Sequence, residues 1–286
     1  MQKVKYRRHE SFSIRDGWIE KGIESVAKYG NETFHKEKGI RLLGIGANMV
    51  KSLKYWMLSA DLIKSSFKCE LTDFSRAIQN YDPYMETDFS WSLVHYNLSK
   101  NFKDCPVEYF ITNILNETKM TKEIVFDEYK KYCMINEIEF NERSVLEDIK
   151  MYFKMYVSDT VSNPEDNFNS PLSKLGLLEE GIERGEFVKT MIDPDSLSYY
   201  VVYYCIQELY KEKKSFNLNE IYNIEKSPLK IFNLEKGIFL QYLNILKNKG
   251  FITINKTAGL NTVYLNKHFE INELYSAYFG GITNEL

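Results

Sequence analysis

Three short apolar-periodic segments within residues 17–59 constrain this fold more than any other feature of the chain. GWIEKGIESVAKY, residues 17–29, places Trp18, Ile19, Gly22, Ile23 and Val26 near one side of a helix. Residues 35–43 supply a second, shorter helix with Ile40, Leu42 and Leu43 directed inward. Gly44 and Gly46 then permit a sharp change of direction. A third helix, 47–59, carries Met49, Val50, Leu53, Trp56 and Met57 on its buried side. Stripes this short bury little alone, so they are expected to close on one another as a helix–turn–helix core. Residues 60–75 are expected to complete that core with a short, wing-like segment.

The same region is basic within a chain of net charge -3. Residues 1–68 hold 14 Lys or Arg against 7 Asp or Glu, whereas residues 69–200 hold 13 against 25 and residues 201–286 hold 10 against 8. One end of the chain therefore attracts a polyanion and the middle repels one. The third helix is expected to leave Asn48, Lys51, Ser52, Lys54 and Tyr55 on its exposed side, where polar groups reach phosphates or base edges. A solvated face with no ligand is the competing reading of such a charge run. Lys3, Lys5, Arg7 and Arg8 read as a flexible cationic arm, suited to neutralising phosphates.

The fold expected is mainly α with small β wings. It comprises a helix–turn–helix or winged-helix domain at 1–75, an acidic helical middle at 76–200 and a winged-helix-like domain at 201–286. VEYFITNILNETK and SVLEDIKMYFKMYV show helical spacing in the middle, and DTVSNPEDNFNSPLSK reads as a linker or surface loop. DSLSYYVVYYCIQELYKE starts at a cap, Asp195 or Ser196, and becomes strongly apolar. Near the end, EKGIFLQYLNILKNK reads as a helix, and FITINKT and NTVYLN alternate as two strands around AGLN. Lys247, Lys249, Lys256 and Lys267 suit either a DNA-contacting wing or a structural, protein-binding one.

Several function classes find no support. The four cysteines are widely spaced with no CxxC pair, which argues against a zinc knuckle or disulfide framework. MQKVKYRRHE offers no apolar signal region and no apolar run spans a bilayer, so the expectation is a cytoplasmic protein without membrane partners. Gly44–Ile45–Gly46 lacks the lysine and Ser/Thr of a phosphate loop and reads as a turn between helices. No Ser–His–acid or Cys–His set stands out.

Two clusters carry candidate chemistry. DPYMETD supplies Asp82, Glu86 and Asp88, oxygen donors suited to magnesium or manganese, with His95 following as a base or ligand. The structural alternative makes Asp82 a turn cap, Asp88 a helix cap and His95 a packed core histidine. HESFSIRDGW gathers His9, Glu10, Arg15 and Asp16 in the basic region. There Arg8 or Arg15 suits a phosphate grip, and His9 and Glu10 suit proton transfer. Its alternative is a salt-bridged helix entry with Asp16 as N-cap and Trp18 packed beneath.

RRHESFSIRDGWIEKGI, LGIGANMVKSLKYW, LTDFSRAIQNYDPYMETDFSWSLVHYNLS and KGFITINKTAGLNTVYLN together resemble a bacterial family long labelled as of unknown function and encoded beside DNA phosphorothioate-modification genes. The resemblance reaches nearly the whole chain and is weakest between 105 and 190. It implies a role in placing sulfur in the DNA backbone, or in defence tied to that mark. Proteins like this in the single-strand branch resemble DNA-nicking subunits, which would cut by metal-assisted phosphodiester hydrolysis. Implied partners are DNA, a cysteine desulfurase and ATP-using subunits, and the aromatic-rich composition suits a homodimer. The other function class is a noncatalytic DNA-binding adaptor or regulator of the modification complex.

Overall fold

The computed structural model describes residues 1–158, 169–257 and 260–282. The protein is mainly α-helical, with two small antiparallel sheets that do not close. Its chain divides into two compact units, Met1–Thr190 and Met191–Leu286.

In the first unit, α1 (Trp18–Tyr29), α2 (Lys36–Leu43) and α3 (Ala47–Ser59) form the expected three-helix core, with a 3-10 turn at Gly30–Phe34. Gly44 ends α2 at φ 68, a left-handed conformation that costs glycine little, and Gly46 starts α3. Gly22 lets α1 approach α3 closely, because a Cβ there would lie 2.4 Å from the Met57 sulfur. Val50, Leu53, Trp56 and Met57 are buried as expected and Met49 is only half-buried, whereas on α2 Leu43 is buried, Leu42 half-buried and Ile40 exposed. Ser52 and Tyr55 also turn inward: the Ser52 hydroxyl donates to the Phe12 carbonyl at 3.1 Å, and the Tyr55 hydroxyl donates to the Asp104 carbonyl at 2.8 Å. The segment after α3 is wing-like only in outline, with a single antiparallel bridge between Ile63 and Leu71.

Next come α4 (Asp73–Tyr81), α5 (Asp88–Lys100), α6 (Pro106–Asn113), α7 (Lys122–Ile135) and α8 (Glu142–Tyr156). Side-chain caps start four of the five: Thr72, Thr87, Thr121 and Asn141 each accept a first-turn backbone N–H. Pro106 opens α6, where a missing N–H costs nothing. Every residue of α5 from Phe89 to Ser99 is buried, as is all of α6. A helix buried on all sides belongs at the centre of a core. The serines of α5 keep its polar faces narrow enough for neighbours to pack on. Strands β1 (Lys119–Met120), β2 (Leu178–Glu180) and β3 (Phe187–Lys189) form an antiparallel sheet in the order β1-β3-β2.

Of the expected linker, residues 159–168 lie outside the described residues. The part that follows is no linker: Pro171–Leu175 is a buried 3-10 turn packed against α5 and α8. The N-terminal arm also departs from expectation. Gln2 bridges Ile138, the Lys5 backbone N–H donates to the Lys103 carbonyl, and the Tyr6 hydroxyl donates to the Glu139 carbonyl. The arm is laid along the acidic helical part of the unit rather than swinging free.

The second unit contains α9 (Tyr199–Leu209), β4 (Ser215–Asn217), α10 (Leu218–Ile221), α11 (Pro228–Ile231), α12 (Lys236–Asn248), β5 (Ile252–Thr257), β6 (Leu260–Leu265) and α13 (Ile271–Ile282). The cap of α9 falls at Ser198, later than the sequence suggested. Strand order is β4-β6-β5, with Ile254 opposite Val263, so a helix leads into an antiparallel wing. Of the AGLN turn, residues 258 and 259 lie outside the described residues. All four cysteines are buried free thiols. Among the described residues, no helix is long and apolar enough to cross a membrane.

Candidate functional site

His9 sits at the base of a tight double turn built from residues 7–11. Arg7, Glu10 and Ser11 all adopt positive φ, at 52, 49 and 66, a rare and costly conformation for side chains of this size. Three anchors hold the turn. The Ser11 N–H donates to His9 Nδ1 at 3.1 Å, and His9 Nε2 lies 2.9 Å from the Asp148 carboxylate. The Arg7 N–H donates to the same Asp148 oxygen at 2.8 Å. Since Nδ1 accepts from Ser11, the ring proton belongs on Nε2, which donates to Asp148. The imidazole is also stacked over Trp56, whose indole N–H donates to the Phe12 carbonyl at 2.9 Å. Both ring nitrogens are therefore committed, and His9 is only 2% exposed.

Around this pair lies a buried polar network that the motifs did not announce. Burial pushes the Asp148 carboxyl up, opposed by the hydrogen bond from His9. Glu108 on α6 is pushed up to about 8, first by burial and then by the charge of Asp148. Cys105 and Tyr55 are raised by the same burial, and the hydroxyl and thiol lie 3.5 Å apart. His95 joins this core through Tyr156: its Nδ1 lies 2.7 Å from the Tyr156 hydroxyl and 3.3 Å from that of Ser99.

The DPYMETD segment forms a turn organised by Asp82. That carboxylate accepts the Glu86 N–H at 2.9 Å, the Thr87 N–H at 3.3 Å and the Thr87 and Ser90 hydroxyls at 2.6 Å each. Thr87, rather than Asp88, is the N-cap of α5, and Asp88 takes the first helical position. Glu86 is exposed. With Asp82 engaged by four donors and Glu86 out in solvent, these residues do not fit a hard-cation ligand set. Among the described residues, no group of three or more His, Cys, Asp or Glu gathers to hold a metal ion. Beside the turn, a cleft of about 570 Å³ is lined by Glu20, Lys21, Glu24, Gln79 and Tyr84.

The remaining candidates separate by environment. Arg7, Arg8, Glu10, Asn48 and Lys51 are exposed, and the Lys51 ammonium donates to the Asn48 amide oxygen at 3.3 Å. Lys54 is half-buried with its ammonium over the Phe34 ring. Arg15 lies over the Phe12 and Trp18 rings, 5.4 Å from each ring centre, and burial lowers its pKa. Asp16 pairs with Lys174 at 3.5 Å, and Gly17 takes the N-cap position instead. The structure thus brings His9 together with Asp148, while Asp82 organises its own turn and His95 pairs with Tyr156.

No curated protein matches the chain. Two solved structures share its fold. The magnesium ion-bound SspB crystal structure superposes with a TM-score of 0.81 at 20% identity, covering 98% of this chain and 94% of that one. A second SspB crystal structure gives 0.80 at 18% identity, covering 98% and 95%. The family model described as a protein of unknown function, DUF4007, matches residues 6–278, and the chain therefore belongs to that family.

Proposed function

We propose that this protein is a DNA-binding component of bacterial phosphorothioate modification or defence, and that it nicks one strand of the DNA it holds. The observation that carries the reading is the helix–turn–helix of α2 and α3, with Asn48 and Lys51 exposed on α3 in the part of the chain where cations outnumber acids. Such a helix offers an amide to base edges and an ammonium to phosphates. Arg7 and Arg8 extend the cationic surface from a pinned turn, with Glu10 exposed beside them. The fold shared with SspB along nearly the whole chain supports the same reading. Its cysteine desulfurase and ATP-using partners, and a homodimeric assembly, belong to the proposal.

Magnesium or manganese enters the proposal because a hard cation polarises a phosphodiester. No ligand role is assigned to Asp82, Glu86 and Asp88. The test is conversion of supercoiled plasmid to open circle by pure protein, alone and with its partner proteins, with each cation and with chelator. Open circle formed only with the cation supports the nick, and its absence under every condition rejects it.

Burial of His9, Asp82 and His95 favours a second reading, a noncatalytic adaptor that positions DNA for another subunit. Alanine at the exposed Glu10, the proton-transfer candidate, separates the two. Modification that survives that change but fails on Lys51→Ala selects the adaptor.

A further inference from the structure

The loop after α3 carries Phe67, which is 92% exposed, more than any other aromatic side chain among the described residues. An isolated apolar ring in water usually folds back onto its neighbours, since burial is favourable. Here the loop is braced open. The Ile63–Leu71 bridge closes its base, and the Lys64 N–H donates to the Glu70 carbonyl at 2.9 Å. The Lys68 N–H donates to the Ser65 hydroxyl at 2.9 Å, and the Cys69 N–H to the Asn31 side chain at 2.6 Å. Buried Cys69 and Leu71 root the far side.

The ring's neighbours are polar and cationic. Ser65 and Ser66 precede it, and Lys64 and Lys68 share one carboxylate, Glu70, at 3.9 and 2.7 Å. Between the bridged residues, over 64–70, two lysines against Glu70 leave an excess of one positive charge. Its position is that of a wing following the second helix of a helix–turn–helix. Lys54 of α3 lies near enough to the Cys69 thiol, two residues from the ring, to oppose the burial that pushes that thiol up. A lipid surface or an apolar protein groove is matched by a broad apolar patch, whereas a single planar ring among hydroxyls and ammoniums matches a nucleobase beside its phosphate.

We infer that Phe67 is a stacking wedge: its ring, presented on a braced loop beside α3, packs against a nucleobase of the bound DNA. This rests on the DNA-binding reading above and adds a residue and a contact that the charged face alone does not supply.

The experiment uses full-length protein with two oligonucleotides, one single-stranded and one duplex, each carrying 2-aminopurine. Affinity, salt dependence and fluorescence are compared for the wild type, Phe67→Ala, Phe67→Trp and Lys51→Ala. Phe67→Ala is expected to bind roughly tenfold more weakly, with its salt slope unchanged and the fluorescence response lost, while Phe67→Trp restores both. Loss confined to the single strand identifies a reader of unpaired bases, and equal loss on the duplex identifies a wedge that opens a base step. Phe67→Ala with wild-type affinity and fluorescence on both probes overturns the wedge alone. Wild-type protein that binds neither probe overturns the DNA reading and the wedge with it. An unchanged melting temperature for Phe67→Ala confirms that the variant is folded.

Discussion

His9 and Asp148 stand 139 residues apart in sequence, yet the imidazole Nε2 donates to the carboxylate across 2.9 Å in a buried setting. The same carboxylate oxygen accepts the Arg7 N–H, so one side chain on α8 fixes both the histidine and the backbone of the turn that exposes Arg7 and Arg8. Replacing His9 by Ala leaves that carboxylate short of a donor and removes the ring stacked on Trp56. His9→Ala should lose about 3 kcal/mol of stability, read as a lower midpoint in denaturant titration.

Glu108 gives the first unit a pH dependence of definite sign. Its folded pKa is raised to about 8 from an ordinary 4.5. Between those values the folded state holds a proton that the unfolded state has released. The stabilising contribution is therefore complete below about pH 4.5 and is lost as pH rises through about 8. Denaturant midpoints measured from pH 5 to pH 8.5 should fall, and Glu108→Gln, which cannot ionise, should flatten that fall. Parallel curves for the two proteins would exclude Glu108 as its source.

Asp82 and Glu86 should behave as opposites despite their proximity in sequence. Asp82→Ala removes the acceptor of four hydrogen bonds at the start of α5 and should cost about 2–4 kcal/mol. Glu86→Ala alters an exposed side chain and should stay within about 0.5 kcal/mol of the wild type. Thermal melting of both variants checks this before any loss of nicking is read as chemistry.

Two glycines of the helix–turn–helix should fail for different reasons. A Cβ at Gly39 would lie 2.6 Å from the Thr33 carbonyl oxygen, which is backbone, so Gly39→Ala must shift α2. A cost of about 1–3 kcal/mol follows. Gly44 has open space but φ 68, and Gly44→Ala should cost about 1 kcal/mol through conformation alone. Melting temperatures rank the two, and Gly44→Asn should recover part of the loss.

For DNA binding, Lys51→Ala should weaken affinity across unrelated duplexes and lower the salt slope by about 0.9, the value for one phosphate contact. Asn48→Ala should change sequence preference instead. Electrophoretic or anisotropy titrations at several salt concentrations distinguish them. A salt slope unchanged by Lys51→Ala moves the phosphate contacts to Arg7 and Arg8.

Local pattern determined much of this protein. Apolar spacing in residues 17–59 specified α1, α2 and α3 because helices so short are stable only with their stripes facing one another. Alternation around residues 251–266 specified the C-terminal hairpin for the corresponding strand reason. The tertiary structure decided which polar groups those elements enclose. His9, Asp82 and Tyr55 belong to residue types that serve equally as surface chemistry or as buried hydrogen-bond partners, and only packing distinguishes the roles. Asp148 did leave a trace, for it falls on the apolar stripe of α8 with Val145, Ile149, Tyr152 and Phe153, and Glu108 sits in a helix buried throughout. Such a carboxylate needs a donor from elsewhere, because leaving it unpaired in the core is costly. The identity of that donor, a histidine near the other end of the unit, depends on chain topology, which short-range periodicity does not encode.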